Sequence, residues 1–243
     1  MKVVAIIQAR MGSTRLPGKV MKKILNKTLL EYQIERVKKC KTIDQIIIAT
    51  TSRKNDNQII EFCRKFSVSY YRGSEEDVLA RYFEAATFYE SDVIVRLTSD
   101  CPVLDPQIID KVVNCYLQNK NRVDYVSNTL ERTYPRGMDT EVMSYEALKN
   151  AFLNAKEQRF REHVTAYIYN HPQIFNVLNV EDNRDQSSYR LTVDTEEDLQ
   201  LITNIIQSLY LSNPEFKMED IIHLLKENQE WLKINAHIEQ KKV

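Results

Sequence analysis

Arg10, Arg15 and Lys19 are spaced along a short polar stretch with Gly12, Ser13, Thr14 and Gly18, directly after the apolar run Val3-Val4-Ala5-Ile6-Ile7. Three cations, two hydroxyls and two glycines just past a buried strand suit a polyphosphate. Glycines let backbone N–H groups approach oxyanions, and the cations neutralise charge that would repel an incoming nucleophile. Two familiar phosphate loops are excluded. A P-loop follows its Gly-Lys with Ser or Thr for the metal, and only four residues separate its glycines. Here five residues separate Gly12 from Gly18, and Val20 follows Lys19. No Gly-x-Gly-x-x-Gly occurs, so the dinucleotide fingerprint is absent too. The competing reading is a basic surface loop that caps a strand.

Two carboxylates stand out next. Ser99-Asp100-Cys101-Pro102 follows Asp92–Leu97, read as a strand, so Asp100 falls at a strand end facing the crevice of Arg10 and Lys19. A carboxylate beside bound phosphates commonly holds magnesium. Asp105, just before Pro106, reads as a helix N-cap instead. Asp194 closes Tyr189-Arg190-Leu191-Thr192-Val193, read as a strand, and Thr195 with Asp198 forms a capping-box start for a helix. Asp194 either pairs with Arg190 or joins Asp100 on a metal. Arg72-Gly73 ends a third strand; Ser74 reads as an N-cap, with Glu75, Glu76 and Asp77 at the helix's positive end. His163 is either a site residue or a structural histidine on a helix lined by Phe160, Val164 and Tyr167. His171, His223 and His237 have no metal-ligand spacing.

The stretch Gln8-Ala9-Arg10-Met11-Gly12-Ser13-Thr14-Arg15-Leu16-Pro17-Gly18-Lys19 resembles the signature loop of the sugar cytidylyltransferases, and within them the spore coat polysaccharide (SpsF-type) branch. Later stretches extend the likeness over most of the chain. The resemblance implies that Ala9, Arg10, Met11, Gly12, Ser13, Arg15, Lys19, Arg72, Ser99 and Asp100 bind the nucleotide, with Arg72 near the pyrimidine. It implies Mg2+ on Asp100 and Asp194, and a catalytic set of Arg10, Arg15, Lys19, Asp100 and Asp194. Tyr134-Pro135-Arg136-Gly137-Met138-Asp139-Thr140-Glu141-Val142 is similar to the branch's acceptor loop. Arg136 would bind an acceptor carboxylate and Asp139 a hydroxyl or metal, with Glu141, His163 and Arg190 nearby. The family commonly has glycine at Ser99, and the branch often has tryptophan at Leu191 and an acidic residue at Arg136. The implied activity moves CMP from CTP to a sugar, an eight- or nine-carbon ulosonic acid, and releases pyrophosphate. The alternatives are transfer to a different sugar or phosphorylated acceptor, and a non-catalytic nucleotide-binding subunit of a polysaccharide-assembly complex. The family's inserted arm implies a homodimer in which it helps close the neighbouring active site.

These residues need elements to position them. Apolar runs at 3–7, 46–50, 68–71 and 92–97 alternate with helical patterns at about 28–39, 59–66 and 76–89. Such alternation indicates βαβ units and a Rossmann-like, mainly parallel (mixed) sheet flanked by helices, of nucleotidyltransferase (GT-A-like) type. Ligands of such sheets bind beyond the carboxyl ends of the strands, where each polar run lies. Downstream, the pattern predicts a helix at 108–116, a strand at 123–126, helices at 145–155 and 157–169, and a strand at 175–180. Two helices and a charged tail (Gln240, Lys241, Lys242) follow. At 243 residues, one domain (1–243) with an inserted dimerisation and acceptor region at about 128–180 is expected. Phe152, Phe160, Tyr167 and Phe175 would supply the dimer's apolar surface. With 34 basic and 34 acidic residues there is no global field to recruit nucleic acid or an anionic membrane. No apolar run approaches a membrane span, and Met1-Lys2 leads directly into a core strand, so a cytoplasmic location is expected. Cys40, Cys63, Cys101 and Cys115 show no Cys-x-x-Cys pairing and read as reduced thiols. The four glycines, Gly12, Gly18, Gly73 and Gly137, all fall in the stretches singled out above.

Overall fold

The structure is a computed structural model, described here for residues 1–239; the charged tail lies outside the described residues. Strands β1 (Val3–Gln8), β4 (Gln45–Thr51), β5 (Ser69–Gly73) and β6 (Val93–Thr98) form the parallel half of a seven-stranded sheet. β2 (Lys23–Ile24) and β3 (Lys27–Thr28) make a small separate hairpin. Strands β7 (Tyr125–Ser127), β8 (Glu141–Ser144) and β9 (Val177–Asn179) complete the sheet in the order β5-β4-β1-β6-β8-β7-β9. β8 runs antiparallel to both its neighbours. After β1 the chain builds one flank through β4 and β5, then crosses back to lay β6 on the other side of β1. That reversal is the topological switch point where open α/β sheets bind ligands. The register pairs Gln8 with Thr98, so the loops that follow β1 and β6 face each other.

β1 is buried on both faces because its residues are apolar at every position from Val3 to Ile7. Val3, Ala5 and Ile7 pack with α1 (Leu29–Val37), α2 (Asn57–Lys65) and α4 (Pro106–Asn119). Val4 and Ile6 pack on the other face with α3 (Val78–Phe88) and α5 (Tyr145–Asn154). A third cluster joins Leu16 of the first loop, Tyr134, Met138, Leu191 and Val193 to α8 (Glu196–Leu209) and α9 (Met218–Glu227). Asp105 caps α4 and Thr195–Asp198 caps α8, as the sequence predicts.

Three local expectations are corrected. Ser74 does not cap α3: Asp77 does, accepting from the Ala80 N–H, while Ser74 accepts from Asp77 one turn earlier. The helix expected over 157–169 is broken into α6 (Gln158–Glu162) and α7 (Ala166–Tyr169). The Thr165 hydroxyl between them is drawn to buried Glu141 at 2.5 Å. Residues 189–193 form no strand; Arg190 makes a single bridge to Arg136, and the remaining donors go to loops. Residues 128–140 form no helix or strand, and β8 then starts at Glu141 and lies between β6 and β7. The 128–180 region thus supplies two strands of the main sheet, and Phe160 and Phe175 are buried in the chain's own core.

Candidate active site

The loop after β1 folds back on itself. The Met11 carbonyl accepts from both Ser13 and Gly18 N–H groups at 3.0 and 2.9 Å. Gly18 adopts the left-handed conformation, φ 67°, which turns the chain so that Lys19 points back toward the sheet. Leu16 is buried beneath the loop, and buried Asp56 holds it from the side, accepting from the Met11 N–H at 2.6 Å. The loop is therefore tied to itself and to Asp56 rather than a free surface arm.

Opposite it, the segment carrying Asp194 is tied to the segment carrying Asp100. The Val193 N–H donates to the Asp100 carbonyl at 2.8 Å, and the Leu191 N–H to the Arg136 carbonyl at 2.7 Å. These bonds bring together two carboxylates ninety-four positions apart in the chain. Lys19 Nζ stands between them, 2.8 Å from Asp194 Oδ1 and 3.4 Å from Asp100 Oδ2, and also donates to the Val193 carbonyl. Asp194 Oδ2 is shared by Arg15 at 3.1 Å and Arg190 at 2.9 Å. Arg190 in turn grips fully buried Asp198 through Nε, and Asn235 completes that carboxylate's bonds. Arg10 pairs with Glu75 at 3.4 Å.

The electrostatics follow from this crowding. Burial alone would lower the Lys19 pKa, but Asp100 and Asp194 outweigh it and hold the ammonium above its ordinary value. For Asp100, burial raises the pKa, but Lys19 and hydrogen bonds from Thr98 and Cys101 bring it below the usual carboxylate range. Cys101 donates to Asp100 Oδ1 at 3.3 Å; burial and that carboxylate push its thiol well up, so it is a donor rather than a nucleophile. Burial pushes the Cys40 and Cys63 thiols up to about 12.

A cleft of about 530 Å³ opens over this cluster. Of the residues the sequence nominates, Ala9, Arg10, Ser13, Arg15, Lys19, Ser99, Asp100, His163 and Asp194 line it. Met11 and Gly12 shape the loop behind it. Arg72 lies on the edge strand with its guanidinium donating to the Thr51 and Arg53 carbonyls. Asp139 and Glu141 line a neighbouring cavity, and Arg136 with Arg190 a third. Glu141 is saturated by Arg96, Tyr125 and Thr165. Sequence reasoning missed Gln8, Val78, Arg81, Arg96, Thr98 and Glu162 in the cleft. Arg81 and Arg96 carried a signal: each interrupts an otherwise apolar buried face, where an unpaired charge is costly.

Cations, hydroxyls and a carboxylate pair at the switch point of a mostly parallel sheet define a protein of the nucleotidyltransferase class. The chain belongs to the cytidylyltransferase family, whose profile, described as Cytidylyltransferase, matches residues 4–229. It is 34% identical over 233 residues to the spore coat polysaccharide biosynthesis protein SpsF of Bacillus subtilis, covering 93% of this chain and 95% of that protein. The solved structure of a cytidylyltransferase from Leptospira borgpetersenii serovar Hardjo-bovis superposes with a TM-score of 0.92 at 36% identity, covering all of both chains. A CMP:2-keto-3-deoxy-manno-octonic acid synthetase complexed with CTP shares the fold, with a TM-score of 0.67 at 16% identity over 86% of this chain and 100% of that one. Among the described residues, no helix is long and apolar enough to cross a membrane.

Proposed function

We propose that the protein transfers CMP from CTP to a sugar acceptor, an ulosonic acid for surface polysaccharide or glycan synthesis, and releases pyrophosphate. The observation that carries this reading is the Asp100–Lys19–Asp194 cluster, set against the closed first loop at the switch point. Arg10, Arg15 and Lys19 would take the triphosphate. Each now has a carboxylate partner that a phosphate oxygen would replace, so binding exchanges one ion pair for another.

Asp100 and Asp194 would hold Mg2+. Magnesium takes one or two carboxylates and fills its other positions with phosphate oxygens and water. Two carboxylates converging within reach of one ammonium fit that demand. Among the described residues, no cluster of three or more acids, histidines or cysteines offers a fuller cage. Bound there, the ion would neutralise charge on the phosphates and acidify a sugar hydroxyl. The chain's own residues would position the triphosphate, exclude water beneath the loop and keep the α-phosphate open to in-line attack. No protein nucleophile is required.

The test is pyrophosphate release from CTP with Mg2+ and a panel of acceptors that includes 2-keto-3-deoxy-manno-octonic acid and N-acetylneuraminic acid. CTP with Mg2+ is expected to raise the melting temperature more than UTP, ATP or GTP. Equal stabilisation by all four would remove the base preference. Release with a phosphorylated acceptor alone would redirect the reading to a different sugar, and binding without any release would leave a nucleotide-binding subunit.

A further inference from the structure

Arg81 on α3 lines the cleft although it is only 2% exposed. Its guanidinium makes one hydrogen bond, from Nη1 to the Ser74 carbonyl at 2.5 Å, and Nε has no partner among the described residues. No acidic side chain among the described residues pairs with it, and burial holds its pKa below the ordinary arginine value. A buried guanidinium with an unmet donor is costly to keep. The unmet edge, Nε–H beside Nη2–H, is a fork of two parallel donors. Gly73 sets where that fork lies. A Cβ there would stand 3.0 Å from Arg81 Cγ, so the arginine stem runs close against the end of β5. Val78, one turn earlier on α3, lines the same cleft and offers an apolar neighbour to a flat ring.

The charged side chains that act on Arg81 are Arg10, Asp56 and Glu75, whereas those that act on Lys19 are Asp100 and Asp194. The two cations therefore belong to opposite ends of the cleft, and a triphosphate held at the Lys19 end sends its nucleoside toward Arg81. Cytosine presents two adjacent acceptors, O2 and N3, which two parallel donors meet together. Uracil presents a donor at N3, which the same fork opposes. Arg72, whose motif suggests the pyrimidine, commits Nε and Nη2 to the Thr51 and Arg53 carbonyls. We propose that Arg81, not Arg72, reads the base, its Nε–Nη2 edge pairing with cytosine O2 and N3 and rejecting uracil. The inference rests on the transfer reading above for the nucleotide and names the residue that selects it.

The experiment measures Kd by calorimetry for CTP, UTP and 3-deaza-CTP, in which C–H replaces the N3 acceptor. Each is titrated with Mg2+ and no acceptor sugar into wild type, Arg81→Lys and Arg81→Gln, and melting temperature reports on folding. Wild type is expected to bind UTP and 3-deaza-CTP about 30-fold more weakly than CTP, the worth of one or two charge-assisted hydrogen bonds. In both variants CTP should weaken by about that factor, and the three ligands should converge to within about threefold. An equal loss on CTP and UTP would make Arg81 a phosphate-binding or structural residue and overturns the proposal. A preference that the Arg81 variants keep and Arg72→Gln collapses returns the base to Arg72 and overturns it too. Should neither Arg81 variant fold, 3-deaza-CTP bound by wild type as tightly as CTP overturns the assignment, and a deficit that Arg72→Gln retains sustains it. Binding alone is read, so a protein that releases no pyrophosphate still tests the fork. Wild type with no preference for CTP over UTP overturns the assignment whatever the transfer assay shows.

Discussion

Asp194 gathers three cations, Arg15, Arg190 and Lys19, within 3.1 Å of its two oxygens. A partner for Arg190 alone would need only one of them. Asp194→Asn keeps size and shape and removes the charge proposed to hold Mg2+. We expect turnover to fall about a thousandfold or more, with the fold retained and CTP still bound. Asp100→Asn should behave likewise, and the double variant should be little worse than either single, because both act on one ion. Near-normal turnover of Asp194→Asn with unchanged magnesium dependence would reduce Asp194 to a structural partner of Arg190. These residues were legible because their types and neighbours announce them: cations among glycines, acids just past apolar runs. Arg81 and Arg96 were passed over, because periodicity assigns their positions to the core and the charge that interrupts each apolar face was the one sign against it. Arg72 and Arg136 show the converse. A polar residue in a suggestive motif does not fix where its guanidinium points, and here both lie outside the cleft's lining.

At the scale of elements, the segment 190–198 does the positioning, and two features hold it. Gly137 has φ 101°, and a Cβ there would stand 2.6 Å from the Leu191 carbonyl carbon and oxygen. Gly137→Ala therefore has to displace the backbone that carries Asp194. We expect a loss of about 2 kcal/mol or more in denaturant unfolding, together with reduced turnover, although Gly137 lines no part of the cleft. Retained stability and activity would mean that the close approach relaxes freely. Asp198 is the second feature. Burial raises its pKa, but hydrogen bonds from Arg190 and Asn235 outweigh that and depress it. A depressed carboxylate contributes stability above its unfolded pKa and loses it as pH falls through the folded value. The contribution should thus be complete above about pH 5 and fade below about pH 4. Asp198→Asn should be less stable than wild type at neutral pH, with the gap narrowing in acid; a gap independent of pH would contradict this. The sequence showed the alternation of Leu191 and Val193 but not that their partners are loops, since pairing is a long-range fact. β8 was hidden for a related reason: four residues with a buried glutamate carry no apolar run to read. The parallel half was plain because strands buried on both faces must be apolar throughout.

On the scale of the whole molecule, the cleft and its neighbouring cavity open where the parallel half of the sheet meets the antiparallel half, with Arg96 and Thr98 of β6 in the wall they share. The remaining question at this scale is assembly. The aromatic residues that the sequence offered for a dimer surface are partly consumed within the chain, with Phe160 and Phe175 buried and Phe152 stacked on Phe83 at 4.3 Å. Leu211, Ile174 and Met1 are exposed elsewhere; beside the stack, Phe88 is 69% exposed on α3 and Leu153 54% exposed on α5, the two helices that Phe83 and Phe152 join. Large apolar side chains left in water beside an aromatic stack are a cost that a second copy would remove by covering them. We expect light scattering at micromolar concentration to report twice the 28.6 kDa chain mass. Phe88→Glu with Leu153→Glu should return it to a monomer, because burying two uncompensated carboxylates in an interface costs more than the contacts there supply. The single chain already presents the whole carboxylate cluster, so the monomeric variant should still bind CTP with the affinity of wild type. A monomeric wild type would show that these helices face solvent in the working protein, and a variant that stays dimeric would move the interface to another face.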